Sequence, residues 1–224
     1  MIVLAIGAHP DDETFASGML AKYASEGNDV YILTTTRGEG GSMGDPPLSD
    51  RAGLGTVREQ EGRAAGRALG ARDVLFLPYV DPVISEGHVT HQINASLEEF
   101  SGAIREVIER LKPDIVLTHG SGGEYGHPQH KYTHVAVFRA LNNLKPWRPR
   151  EFLTWCAAYP NPENERFINK DDPADIVLDV TPWMAQKVAA MDAHRTQFTV
   201  FFRDNPDKQL EDIVGHIESF HRWT

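Results

Sequence analysis

The sequence predicts an α/β fold: a doubly wound, mostly parallel sheet with helices on both faces, formed as one domain over residues 1–224. Three observations carry this expectation. Apolar runs of strand length alternate with longer segments of helical period along the chain. No Ser/Gly-rich linker, low-complexity tract or internal repeat marks a second unit. The polar, titratable residues gather just after the apolar runs, at the carboxyl ends of strands, where open sheets of this kind bind ligands.

The elements follow in order. IVLAI (2–6) is the first strand, and a helix over 14–26 ends at Gly27. VYILTT (30–35) is the second strand. TVREQEGRAAGRAL (56–69) has helical period and stops at Gly70, and DVLFL (73–77) makes a third strand. A helix over about 93–111 must finish before Pro113, because the residue ahead of a proline is pushed out of the helical region. DIVLTH (114–119) is the fourth strand, followed by a glycine loop, a helix over about 131–143 and FLTWCAA (152–158) as the fifth. DIVLDV (175–180) reads as a further strand, and 182–200 and 207–222 read as helices.

Composition narrows the function classes. With 22 basic and 32 acidic residues the formal charge is -10, and no Lys/Arg run concentrates the positive charge. Nucleic acid and anionic membrane surfaces are therefore disfavoured partners, and small molecules fit better. The opening MIVLAIGA lacks a basic start and is too short for a secretory leader, and no stretch reaches the ~20 apolar residues of a membrane span. One cysteine, Cys156, excludes an internal disulfide and a multi-cysteine zinc cluster. A cytoplasmic location is the plain expectation.

The stretch GAHPDDET (7–14) departs from what a core needs. Three consecutive acids repel one another unless something positive sits among them, so the turn reads as a cation site. His9 and Asp12 are three apart with Pro10 stiffening the backbone between them, and Asp11 projects differently, free to act as a base. Two imidazoles and one carboxylate form the usual protein set of a catalytic zinc, with the fourth position left for water. GHPQH (126–130) supplies the missing imidazole, from either His127 or His130. Helix capping accounts for one acid here but not for the whole group.

Other patterns are weaker. His130 and His134 have zincin spacing, but Lys131 stands where the glutamate belongs. His88, His91, His194, His216 and His221 read as surface or packing residues, and His119 stays open. The glycines in GEGGSMG (38–44) match neither the dinucleotide nor the P-loop fingerprint. The long stretch containing them reads as a mobile wall of the site. Tyr79, Asp81 and Trp147 are candidates for sugar contacts, whereas Phe152 and Trp155 belong to a core strand.

Taken together, AHPDDE after the first strand, RGEGG after the second, VREQE opening the next helix, LPYVD after the third strand and GGEYGHPQH after the fourth resemble the LmbE-like, or PIG-L, family of zinc-dependent N-deacetylases. The resemblance covers about residues 1–140 and returns at 179–197. It implies a Rossmann-like fold and removal of the acetyl group from an N-acetylglucosamine-type substrate, a small N-acetylated sugar conjugate, by a chain that often forms homo-oligomers. It further implies His9, Asp12 and His130 as Zn2+ ligands, Asp11 as general base, His127 and Tyr125 beside the oxyanion and leaving amine, and Arg58 and Asp81 as substrate contacts. One position departs: the family's H-P-D-H is His127-Pro128-Gln129-His130 here, which removes a carboxylate that pairs with a histidine and makes a protonated His127 less favourable. A Rossmann-type nucleotide-binding enzyme and a catalytically silent metal-binding module are the rival readings; the first leaves the His/Asp set unexplained, and Gln129 is the best argument for the second.

Overall fold

The computed structural model describes residues 1–83, 90–204 and 206–223; His88 lies outside them. Strands β1 (Ile2–Gly7), β2 (Asp29–Thr36), β3 (Asp73–Tyr79), β4 (Ile115–Thr118) and β5 (Glu151–Trp155) run parallel. The seven-stranded order is β3-β2-β1-β4-β5-β9-β8, with β8 (Ile176–Asp179) and β9 (Ile217–Trp223) added antiparallel at one edge. Period-two alternation divides each central strand between two cores: Val3 and Ala5 face one, Leu4 and Ile6 the other. The first core is covered by α1 (Ser17–Ser25), α2 (Leu54–Ala68) and α5 (Met184–Ala193), the second by α3 (Leu97–Leu111) and α4 (Pro128–Asn142). Burial on both faces is why these strands read as continuous apolar runs. Among the described residues no helix is long and apolar enough to cross a membrane.

From β1 the chain winds outward through β2 and β3, then returns to lay β4 on the other side of β1. The order reverses between β1 and β4, and the register sets Ile6 beside Thr118, so the loops leaving these two strands open side by side. That crevice is the place where an open sheet binds its ligand.

The C-terminal third departs from expectation. The predicted helix over 182–200 is broken into α5, a 3-10 turn over Arg195–Gln197 and a short α6 (Phe198–Phe201). Between these pieces His194 and Thr196 turn inward to bond Glu13 and Glu61. The predicted helix over 207–222 shrinks to α7 (Leu210–Ile213), and most of the rest is β9, which lies between β5 and β8 with Phe220 buried. Strand pairing overrides the local helical pattern there. The predicted 152–158 strand splits at Cys156, whose φ is 57°; beyond it β6 (Ala157–Ala158) pairs with β7 (Asn169–Pro173) in a small second sheet.

Strand β9 also closes the first helix. Glu218 accepts from the backbone N–H of Gly18 (2.7 Å) and Met19 (2.8 Å) at the start of α1, and is bonded by buried Lys187 of α5. A carboxylate at a helix N-terminus satisfies two orphan donors and meets the favourable end of the dipole. Removing one partner of a buried ion pair strands the other charge. Glu218→Ala is therefore expected to lower stability by about 3–5 kcal/mol, read from urea unfolding midpoints; a change below about 1 kcal/mol would refute this role.

Candidate metal centre

The turn after β1 is built around one side chain. Asp12 folds back over Gly7, where a Cβ would lie 2.8 Å from that of Asp12, so no larger residue fits. The Asp12 carboxylate accepts the His9 backbone N–H at 2.7 Å. Asp11 sits at φ 113°, a region non-glycine residues avoid. Three bonds hold it there: its carbonyl accepts from Thr14 N–H (3.1 Å) and Oγ1 (2.6 Å), and its own N–H donates to Glu13 (3.0 Å). The consequence is divergence: Asp12 is buried, whereas the Asp11 side chain keeps 19% exposure and lies 3.4 Å from the Arg58 guanidinium.

The loop after β4 supplies the other half. His127 stands at the N-cap position of α4, Pro128 pre-sets the first helical φ, and His130 enters from the first turn. His130 Nε2 lies 3.2 Å from Asp12 Oδ1, and His9 Nδ1 lies 3.5 Å from Asp12 Oδ2. Of the two histidines left open by spacing, His130 is the one grouped with His9 and Asp12, their ligand atoms all within 4.8 Å of one another. His127 packs beside them, its ring tilted at 4.4 Å from that of His130 and edge-on at 5.1 Å from that of His9.

The protonation pattern tests whether a cation fits. Glu124 Oε2 lies 2.6 Å from His130 Nδ1 and 3.0 Å from His119 Nδ1. An ionised carboxylate only accepts, so each imidazole offers it an N–H, and the other ring nitrogen of a neutral His130 is a lone pair. That nitrogen, Nε2, is buried with no hydrogen-bond partner. A buried lone pair facing an anionic oxygen is unsatisfied without a positive charge between them. The donor set, two imidazoles and a carboxylate, suits zinc or a similar divalent ion.

Charge states follow the same geometry. Without the ion the histidines supply the positive charge themselves: burial opposes it, but Asp12 holds the His130 pKa above its ordinary value, and against its own burial Asp12 is held well below the carboxylate range by the charge of His130 and His119. Burial likewise opposes a charged Glu124, and His119 and His130 pull its pKa down to about 2. For Asp11 burial wins: its pKa rises to about 6, with Asp12 adding to the rise and Arg58 opposing it. Burial, then His9 and His130, lower His127 to about 2, so its imidazole is neutral at pH 7.

Other expected residues take defined places. Tyr125 is 47% exposed at the rim, its ring 5.4 Å from His130. Arg58 is only 2% exposed and donates to Gly38 O (2.9 Å) and Pro10 O (2.5 Å). Asp81 is buried and accepts from Gly40 N–H (3.2 Å) and Gln129 (2.7 Å). The glycine stretch owes its composition to packing: a Cβ on Gly38 or Gly41 would lie 2.2 Å from Arg58. Tyr79 packs edge-on against Phe100, and Trp147 packs into the second core ahead of β5, at the far end of the sheet from the crevice. Gln129 bonds His9 (3.1 Å), so its substitution bears on that ring and not, as expected, on His127.

Sequence reasoning missed the supporting groups. Glu124 and His119 lie in the TH and GGEYG segments, but only the fold brings them within reach of His130 and Asp12. Asn169 of β7 accepts the Glu124 N–H at 3.0 Å, and His194 lies 2.5 Å from Glu13; no local signal marks either. The strained Asp11 backbone is directly testable. Asp11→Gly and Asp11→Ala remove the same side chain, but only glycine relieves the positive φ. The glycine variant is expected to be the more stable by about 1 kcal/mol in thermal unfolding, after its own entropy cost. Equal stability would argue against strain.

Comparison with known proteins identifies the family. The family described as PIG-L, GlcNAc-PI de-N-acetylase, matches residues 4–141. A 1D-myo-inositol 2-acetamido-2-deoxy-alpha-D-glucopyranoside deacetylase of Mycobacterium sp. (strain KMS) is 31% identical, the alignment covering 88% of this chain and 74% of that protein. Among solved structures, the N,N'-diacetylchitobiose deacetylase of Pyrococcus horikoshii superposes with a TM-score of 0.74 at 20% identity, over 99% of this chain and 83% of the other. GalB, the 4-carboxy-2-hydroxymuconate hydratase of Pseudomonas putida KT2440, superposes at 0.67 and 17% identity, over 100% and 96%. At such identities the structural likeness speaks for the fold alone, and a hydratase among the neighbours shows that this fold serves more than one reaction. The extent of the family match and the 31% identity across most of the chain show that this protein belongs to the PIG-L family.

Proposed function

We propose that the protein is a zinc-dependent hydrolase that removes the acetyl group from an N-acetylglucosamine-type substrate. The observation that carries this reading is the buried His9–Asp12–His130 group, with the unpartnered His130 Nε2 turned into it and Asp11 alongside. The substrate class comes from the relatives, whose names share an acetylated amino sugar. A cytoplasmic setting accords with the single, unpaired Cys156.

His9, Asp12 and His130 would hold the ion. When bound, zinc lowers the pKa of a coordinated water and polarises the amide carbonyl. Asp11 takes the proton from the attacking water. Its pKa near 6 leaves it ionised at pH 7 yet basic enough to accept that proton, and Arg58 beside it steadies the charged form. The developing oxyanion lies toward His127 and Tyr125, which offer neutral N–H and O–H donors. Because His127 is neutral, the proton that lets the amine leave is the one Asp11 has just taken. Arg58 and Asp81, buried and bonded inward, act on the substrate through Asp11 and His9.

Amine release from N-acetylglucosamine derivatives is expected to disappear on chelation and return when zinc is restored. Asp11→Ala should cut turnover by about 10²–10⁴-fold while zinc content stays near one per chain; loss of metal in that variant would remove Asp11 from the base role. The pH profile follows from the same carboxylate. Protonation of Asp11 disables the base, so kcat/KM should fall tenfold per pH unit on the acid side; in the metal-free protein the Asp11 carboxyl itself should titrate near pH 6, read by carbon-13 NMR. A metal-free midpoint in the ordinary carboxylate range, near pH 4, would sink this assignment.

A further inference from the structure

Gln129 is the chain's departure from its family's motif, and its hydrogen bonds leave little freedom. The carboxamide nitrogen lies 2.7 Å from Asp81 Oδ1 and 3.1 Å from the His91 carbonyl oxygen, two groups that only accept. Turning the amide over would set its oxygen against both acceptors, so the orientation is dictated by chemistry. Oε1 therefore faces His9 Nε2, at 3.1 Å, and an oxygen there requires a proton on that nitrogen. The remaining His9 nitrogen, Nδ1, carries the lone pair and is the one on the Asp12 side, 3.5 Å from Oδ2.

We infer that Gln129 is a positioning residue that locks His9 in its Nε2–H tautomer, so that His9 meets the metal through Nδ1 while His130 meets it through Nε2. This rests on the metal-centre reading above. The two histidines are held as mirror cases, His130 by Glu124 at its Nδ1 and His9 by the Asp81–Gln129 pair at its Nε2. Asp81 thereby acts on the centre through a neutral link. A glutamate at position 129, of the same length, would face Asp81 at hydrogen-bond distance, and two anions there coexist only by sharing a proton. The amide donates to Asp81, whose other oxygen is held by Gly40 N–H, and passes the polarity of that pair to the His9 ring without a second carboxylate.

The test uses the full chain labelled with nitrogen-15 at histidine and loaded with cadmium-113. One imidazole, assigned to His9, is expected to show cadmium coupling at Nδ1, and the other, His130, at Nε2; the metal-free protein should show His9 as the Nε2–H tautomer. Gln129→Met, which keeps length but removes both the donor and acceptor, should weaken zinc binding about 10–100-fold in competition with a chelator. Coupling of His9 through Nε2, or a Gln129→Met affinity within threefold of wild type, overturns the inference while leaving the metal centre standing. Failure of the wild-type chain to take up cadmium or zinc at one per chain overturns the metal reading and this inference with it. The wild-type spectrum decides the tautomer even if the variant does not fold.

Discussion

A carboxylate buried among imidazoles is the constraint on which the rest of this molecule turns. Asp12 is 4% exposed, yet it receives the His9 N–H and lies within 3.3 Å of ring nitrogens of both His119 and His130. Placing it there requires a glycine at position 7, a turn sharp enough to leave Asp11 at positive φ, and a neighbouring loop that arrives from β4 rather than from β2. The reversal of strand order between β1 and β4 satisfies the last condition. The fold thus provides a crevice, and the site uses the crevice to strip water from a carboxylate and imidazoles whose polar atoms a cation can then satisfy.

The site is supported by parts of the chain far from its ligand-bearing turns. Glu124 orients two histidines and is itself held by Asn169 of the small second sheet. Glu13 fixes the Asp11 backbone and is held by His194, and Glu61 on α2 captures Thr196. Glu218 of the last strand caps the helix that begins just beyond the turn. Their partners Asn169, His194, Thr196 and Glu218 lie beyond the region matched by the family, which ends at residue 141. The C-terminal third is therefore the back wall of the site, and its irregular helices are the cost of sending His194 and Thr196 inward.

Gln129 illustrates how a change of charge can be absorbed. Read along the chain, the loss of a carboxylate beside two histidines suggests a weakened acid at His127. In space the amide faces His9, and the negative charge reappears one bond further out, at Asp81. The neutrality of His127 has another origin, burial beside two further imidazoles. That neutrality moves the proton traffic to Asp11.

Local chemistry was legible in the sequence. Alternating apolar runs gave away a parallel sheet because those strands are buried on both faces, and the three-residue spacing of His9 and Asp12 in a tight turn was enough to nominate ligands, since a turn of that length aims both side chains at one point. Spacing left His127 and His130 open and the family resemblance favoured His130, whereas the partnering of His119 with Glu124 and the inward role of Arg58 were decided only by tertiary structure. So was the conversion of 217–223 from an apparent helix to a strand. The physical reason is the same in each case. These features depend on contacts between segments distant in sequence, where hydrogen-bond satisfaction in a buried site and an open sheet edge outweigh the weak preferences of neighbouring residues.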